Sequence, residues 1–340
     1  MDWGQTMGVV VPQGTDPPTT TRHRLHGVEI QSTALFPSWP RGATGGPEGD
    51  QAWTLDIRPI EAGVEDLSEI DPDDLRGDWA AEGDPDDPDR LVYSVSLAGR
   101  TLSDYVVDLR ERSVSADRLS RRPIARSGVE FVLACRVLPW LARVQRGALP
   151  LHAVAVSFEG RALLVCGDSG TGKSTLAARL LGLGCDLLGD EPVVVDVVGD
   201  QVLAQHGSWR LRVNDGSPAH GDLVGQGFDI VDNHGKAAAV QSRGVGAVSA
   251  GVPVAAIVVL RARDPLATTP QMQTCDGLGA TRELMSHRYC IAGPVPVVRG
   301  DFAAAAAIAS RVPVVRVSMP DSIDHLAAAA QLLRDELLSG

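Results

Sequence analysis

The sequence predicts an α/β chain in which a phosphate-loop core follows a smaller, mostly β N-terminal domain. Three observations lead there. The run "GDSGTGKS" (167–174) stands between an apolar run and a helix-periodic one. From residue 150 onward, short β-branched runs are mixed with helix-periodic runs, as in a layered α/β core. Upstream, alternating runs are broken by Pro- and Gly-rich stretches, as in a small β domain.

Residues 1–22 are rich in Pro, Thr and Gly and are expected to be a flexible N-terminus. The N-terminal domain is expected over 23–126. In it, 25–35 ("LHGVEIQSTAL") reads as strand, 37–50 as loop, 52–60 ("AWTLDIRPI") as a half-buried strand, and 91–99 and 101–111 as two strands around Gly99. The phosphate-loop domain is expected over 127–340, led by a helix at 127–147 that is interrupted or bent before Pro139. Within it, strands are expected at "HAVAVSF", "RALLVCG", "EPVVVDVV", "QVLAQ", "WRLRV", "VAAIVVLRA" and "PVVRVSM". Helices are expected at 173–184, 277–288, 301–310 and 322–338, the last with Asp321 or Ser322 as N-cap.

The net charge of −12 is concentrated in one segment. Residues 61–90 hold thirteen acids against two arginines and read as a solvated acidic loop, so the rest of the chain is close to neutral. No basic stripe is available to neutralise phosphates along a nucleic acid. No apolar run reaches membrane-spanning length, and the first residues lack the basic start and apolar stretch of a signal peptide. The five cysteines are scattered and form no CxxC pair, which fits reduced thiols in the cytoplasm.

The run 167–174 fits G-x-x-x-x-G-K-[ST] at every fixed position, with a strand-like run before it and a helix-like run after it. Gly167, Asp168, Ser169, Gly170, Thr171 and Gly172 would turn backbone N–H groups toward one centre, at a helix N-terminus that continues through Lys173, Ser174 and Thr175. Lys173 is one of only two lysines beside 29 arginines. A narrow loop needs a compact, mobile point charge, which the planar fork of arginine does not supply. Ser174 offers a hydroxyl to Mg²⁺. Lys236, the other lysine, reads either as a surface residue or as a charge that contacts phosphate or acceptor.

"LLGDEPVVVD" follows the loop helix and places Asp190 and Glu191 seventeen and eighteen residues after Lys173. The pair reads either as a surface pair at a strand end or as a metal ligand beside a proton acceptor. His152, in "LPLHAVAV", reads either as a core histidine or as a third site residue. Two common classes are excluded: with two lysines there is no Asn/Thr-Lys-x-Asp guanine reader, and there is no LSGGQ-like signature.

On these residues the chain resembles the catalytic domain of the HPr kinase/phosphorylase family and its small-molecule and peptide kinase relatives. That family carries a histidine twenty-one residues before the loop lysine, matched by His152, and the loop G-x-S-G-x-G-K-S, matched by 167–174. It also carries a pair of aspartates after the loop helix, matched by Asp190 and Glu191; glutamate at the second place is a departure. The resemblance is strong over 149–196 and looser over 197–340. It implies an HPr-kinase/PEP-carboxykinase-like core that binds ATP and Mg²⁺, with Ser174 and Asp190 on the metal and Glu191 or Asp190 as the base, helped by His152. It implies an alcohol acceptor, such as serine, free or in a peptide of a natural-product pathway. The family's substrate-recognition signature and second metal acid have no counterpart here, so neither HPr as acceptor nor phosphorylase activity is expected. Arg210 and Arg212 in "SWRLRV", with Lys236, are weaker candidates for contacting the acceptor or the transferred phosphate. HPr kinases are oligomers, which leaves a homo-oligomer open. The alternative is a regulatory or scaffold protein that binds ATP without transferring phosphate. A carboxykinase, which shares the core, ranks last because no paired Lys/His metal site is found.

Overall fold

A computed structural model describes residues 20–32, 52–56, 76–79, 89–97, 100–117, 131–214, 223, 229–233, 236–240, 251–289, 297–321 and 323–338. Most of the expected flexible N-terminus, the loop at 37–50, most of the acidic segment, residues 127–130, Cys290 and Ser322 lie outside them. The fold is mixed α/β. Its contacts divide into two units, one of Met1–Leu141 with Val245–Ser249 and Ile291–Pro296, the other of Ala142–Gly244 with Ala250–Cys290 and Val297–Gly340.

The first unit is built on a seven-stranded sheet: β1 (Thr21–Leu25), β2 (Val28–Ser32), β3 (Trp53–Asp56), β4 (Arg76–Trp79), β5 (Arg90–Leu97), β6 (Arg100–Asp108) and β7 (Ser113–Asp117), in the order β1-β2-β3-β7-β6-β5-β4. Alternate residues enter its core, including Val28 and Ile30 of β2 and Leu91, Tyr93 and Val95 of β5, the period-2 pattern of a half-buried strand. Two expectations are corrected. The stretch 25–35 does not begin as one strand: His26 (φ 54°) and Gly27 (φ 73°) turn β1 back onto β2, and positive φ at both turn residues suits the twist of a hairpin. The acidic segment is not loop throughout, because Arg76–Trp79 pairs with β5; neighbouring chain overrides a loop-like composition.

The expected bend before Pro139 takes the form of a π-helical turn, Leu133–Val137, leading into α1 (Leu138–Arg146). The N–H of Leu138 donates to Leu133 O, five residues back. The wider turn relieves the clash of the proline ring with the preceding turn of helix. Gly147 (φ 66°) ends α1, its N–H donating to Arg143 O at 2.9 Å.

In the second unit a nine-stranded sheet contains β8 (Leu149–Leu151), β9 (Ala153–Phe158), β10 (Arg161–Gly167), β11 (Asp186–Asp190), β12 (Val193–Val198), β13 (Gln201–Ala204), β17 (Val252–Leu260), β18 (Gln271–Thr274) and β19 (Val314–Ser318). The path runs β11-β9-β10-β17-β13-β12-β8, and β19 joins β17 to β18. A separate three-stranded sheet holds β14 (Arg210–Asn214), β15 (Asp229–Asn233) and β16 (Lys236–Val240), with β16 central. The helices are α2 (Lys173–Gly182), α3 (Gly277–Ser286), α4 (Val297–Ala309) and α5 (Ile323–Leu337).

Both faces of the larger sheet are covered, which explains why its central strands read as unbroken apolar runs. Leu163 and Val165 of β10 pack on one face with Leu176 and Leu180 of α2 and Leu333 of α5. Ala162, Leu164 and Cys166 pack on the other with Leu284 of α3 and Ile308 of α4. Helix α4 begins at Val297, earlier than expected. Asp301 is not its start but a buried anchor within it, accepting from Arg143 Nε at 2.8 Å. Among the described residues no helix is long and apolar enough to cross a membrane. Cys135, Cys166 and Cys185 are buried thiols and Cys275 is a half-buried one, none of them in a disulfide among the described residues.

Candidate active site

Strand direction brings three separate points of the stretch 152–191 together. β9 runs antiparallel to both β10 and β11, with Ala153 opposite Cys166 and Val154 opposite Asp190. The start of β9 therefore lies beside the ends of the other two. His152, one residue before β9, meets Lys173 just after the loop that follows β10, and Glu191 just after β11. Its Nε2 is 3.1 Å from Lys173 Nζ and 3.0 Å from Glu191 Oε1. Lys173 Nζ is 3.5 Å from Glu191 Oε1.

The loop between β10 and α2 is closed tightly on itself. Gly167 has φ 154°, and a Cβ there would meet Thr171 Oγ1 at 2.7 Å and Leu260 O at 3.2 Å. Thr171 Oγ1 donates to Asp168 O at 2.8 Å. Gly172 has φ 99° and caps α2 in the left-handed region, where glycine carries no Cβ penalty. Lys173 is buried and folds back over the loop, donating to Gly167 O at 2.9 Å and Asp168 O at 3.3 Å. Asp168, Ser169 and Gly170 are exposed, while Thr171, Gly172, Ser174 and Thr175 are half-buried.

Asp190 is buried at the end of β11. Its Oδ2 accepts from the N–H of Arg212 at 2.8 Å. Its Oδ1 is buried with no hydrogen-bond partner among the described residues. Burial, and next the charge of Glu191, push its pKa up to about 7 against the pull of Arg212 and Lys173. Glu191 has φ 30°, an uncommon setting for a residue with a side chain. Its N–H donates to Ala153 O at 3.1 Å. The pKa of His152 is lowered, mainly by burial and further by Lys173, with Glu191 opposing. Its two contacts need opposite tautomers: Nε2 accepts from Lys173 when bare and donates to Glu191 when protonated. The imidazole thus couples the lysine and the carboxylate, serving one at a time.

The buried Oδ1 of Asp190 fits a cation, since coordination would satisfy it. No group of three or more His, Cys, Asp or Glu suited to a metal occurs among the described residues. Mg²⁺ needs no such cage, because it is commonly held by one or two carboxylates together with phosphate oxygens and water. Asp190, with Ser174 in the first turn of α2, meets that requirement by residue type. Cys166, adjacent to the loop, is fully buried; its thiol is pushed up to about 12, chiefly by burial, and is no nucleophile at neutral pH.

Arg212 touches Asp190 through its backbone, a role its side-chain chemistry does not announce. Arg210 is half-buried on β14 and pairs with Val240, while Lys236 on β16 pairs with Asn214. Several neighbours escape a reading by motif. The Tyr289 ring stacks on His152, centroids 6.4 Å apart and planes 8° apart. His287 O accepts from His152 N–H at 2.8 Å. Buried Glu283 accepts from Arg316 Nε at 2.8 Å and also binds Arg261, the residue after β17. The polar run "RARD" after a wholly apolar strand is the one signal that could have pointed to this edge.

Gly189 shows how little slack supports Asp190. A Cβ at Gly189 would lie 3.1 Å from Gly207 Cα and 3.2 Å from Gly207 N. Both neighbours are backbone, and Gly207 N–H is held by Leu188 O at 2.8 Å. Gly189→Ala is expected to cost about 1–3 kcal/mol, read as a lowered thermal midpoint. An unchanged midpoint would show that β11 has room to shift.

No family model and no curated protein matches the chain. Among solved structures it is similar to the HPr(Ser) kinase/phosphatase from Coxiella burnetii, with 16% identity and a TM-score of 0.29 over 55% of this chain and 94% of that one. The likeness is a distant one.

Proposed function

We propose that this chain is an ATP-dependent phosphotransferase acting on an alcohol, with serine, free or within a peptide, as the acceptor class. The observation that carries this reading is the position of Glu191. Its carboxylate stands 3.0 Å from His152 and 3.5 Å from Lys173, beside a glycine-rich loop of phosphate-binding sequence. A protein that only binds nucleotide has no use for a proton acceptor at that place.

Each residue then has a task. Loop amides and Lys173 hold the β- and γ-phosphates. Asp190 and Ser174 would hold Mg²⁺, which supplies positive charge to the phosphate oxygens. Glu191 takes the proton of the acceptor hydroxyl as its oxygen bonds to the γ-phosphorus, while the bond from that phosphorus to the β–γ bridging oxygen breaks and ADP leaves with the electron pair. His152 orients Glu191, and Tyr289 fixes the imidazole plane by stacking.

The test is transfer from γ-labelled ATP with Mg²⁺ to serine, threonine, serine-containing peptides and a small-molecule extract, with Lys173→Ala as control. Label is expected in one acceptor with the wild type and not with Lys173→Ala. Label found only as inorganic phosphate, or ATP bound without any transfer, would overturn the reading in favour of a regulatory nucleotide binder.

A further inference from the structure

A second cation stands over the loop on the side away from the acidic pair. β17 lies parallel to β10, with Leu260 opposite Gly167, and delivers the segment 261–264 to the loop. That segment is held at both ends: Arg261 N–H donates to Val317 O and Asp264 N–H to Met319 O, each at 2.9 Å. Between these anchors Arg263 reaches the loop. Its Nη2 lies 3.1 Å from where a Cβ of Gly172 would be, which sets the guanidinium close over the loop backbone.

The guanidinium is weakly engaged. Its ionic partner among the described residues is Asp321, with Nη1 to Oδ1 at 3.4 Å, and the two side chains are 38% and 55% exposed. A pair this long and this wet contributes little to stability. An arginine held by anchored backbone, set close over the last loop residue before Lys173 and tied, among the described residues, to an exposed carboxylate, is placed to exchange that carboxylate for a phosphate.

Resting on the nucleotide reading above, we infer that Arg263 is a phosphate-binding residue: it releases Asp321 and clamps the phosphate chain of the nucleotide against the loop. Arg263 and Lys173 then act from different sides. Lys173 acts from within the fold beside His152 and Glu191, and Arg263 acts from the solvent-exposed side of Gly172. Asp321 is the resting counter-ion that a bound polyphosphate displaces.

The test is displacement of a fluorescent ATP analogue by MgATP, by inorganic tripolyphosphate and by adenosine, in the wild type, Arg263→Ala, Arg263→Lys, Asp321→Asn and Lys173→Ala. Arg263→Ala should weaken MgATP and tripolyphosphate about tenfold, the loss of one charge-assisted contact, and leave adenosine unchanged. Arg263→Lys should recover part of the loss. Asp321→Asn should tighten MgATP by about threefold, a gain that a merely structural role of the pair would not produce. Unchanged MgATP affinity in Arg263→Ala, equal losses for MgATP and adenosine, or weaker binding in Asp321→Asn overturns the inference. If Lys173→Ala abolishes binding while Arg263→Ala does not alter it, this inference falls and the loop reading stands. If the wild type binds no nucleotide, both fall.

Discussion

Glu191→Gln is expected to lower phosphate transfer by about 10²–10⁴-fold, the usual share of a positioned base, while nucleotide binding is retained or slightly tightened. Glutamine keeps the length of the side chain and can still contact His152, whose Nε2 is 3.0 Å from the present carboxylate. It cannot accept a proton. Removing a negative charge 3.5 Å from Lys173 Nζ also leaves that ammonium freer to serve phosphate, hence the tighter binding. Single-turnover transfer and equilibrium nucleotide binding, measured side by side, check the two halves. A transfer rate within about threefold of the wild type would remove Glu191 as the base.

Asp190→Asn is expected to abolish Mg²⁺-dependent transfer and yet stabilise the unliganded protein at pH 8. The sign follows from the raised pKa. The folded carboxyl titrates near 7, against an ordinary value of 3.8. Between those values the folded state keeps a proton that the unfolded state has released, so stability falls as pH rises from about 4 through 7. Above 7 the fold carries a buried carboxylate beside the charge of Glu191, at a cost on the order of a few kcal/mol. Asparagine removes that charge while its oxygen can still accept from Arg212 N–H. Thermal midpoints at pH 5.5 and pH 8 without Mg²⁺ decide the matter. The wild type should be less stable at the higher pH, and the variant should lose that difference. A variant no more stable than the wild type at pH 8 would show that the buried Oδ1 is not a burden on the fold.

What the sequence made legible follows its physical cause. β9, β10 and β17 were readable because both their faces are largely buried, leaving runs that are almost wholly apolar. The loop was readable because Gly167 and Gly172 occupy positions where a side chain would collide or strain. The nearness of His152 to Lys173 followed from pairing two adjacent strands. Other features depend on partners far along the chain. β18, "QMQT", is largely exposed and shows no apolar pattern; only its pairing with β19 makes it a strand. Asp276 caps α3 by accepting from Gly279 N–H, a local signal that could have been read. The arginines meeting at Glu283 come from β19 and the end of β17, and no local pattern joins them. The likewise remote contact of Arg212 with Asp190 uses an N–H that every residue but proline carries.

The antiparallel setting of β9 between β10 and β11 has a consequence for the order in which the fold assembles. His152, Lys173, Asp190 and Glu191 all belong to one stretch of about forty residues. The β9–β10 connection between Phe158 and Arg161 is a two-residue turn through Glu159 and Gly160, both at positive φ. Bringing these groups together closes only short loops, at small entropic cost. β17 must instead come from about ninety residues further on to cover the opposite edge of β10, and β19 from about one hundred and fifty residues further on to pair with β17. The chemistry-bearing corner is therefore the part of the chain able to organise earliest, and the late-arriving strands lock a geometry that local pairing has already drawn.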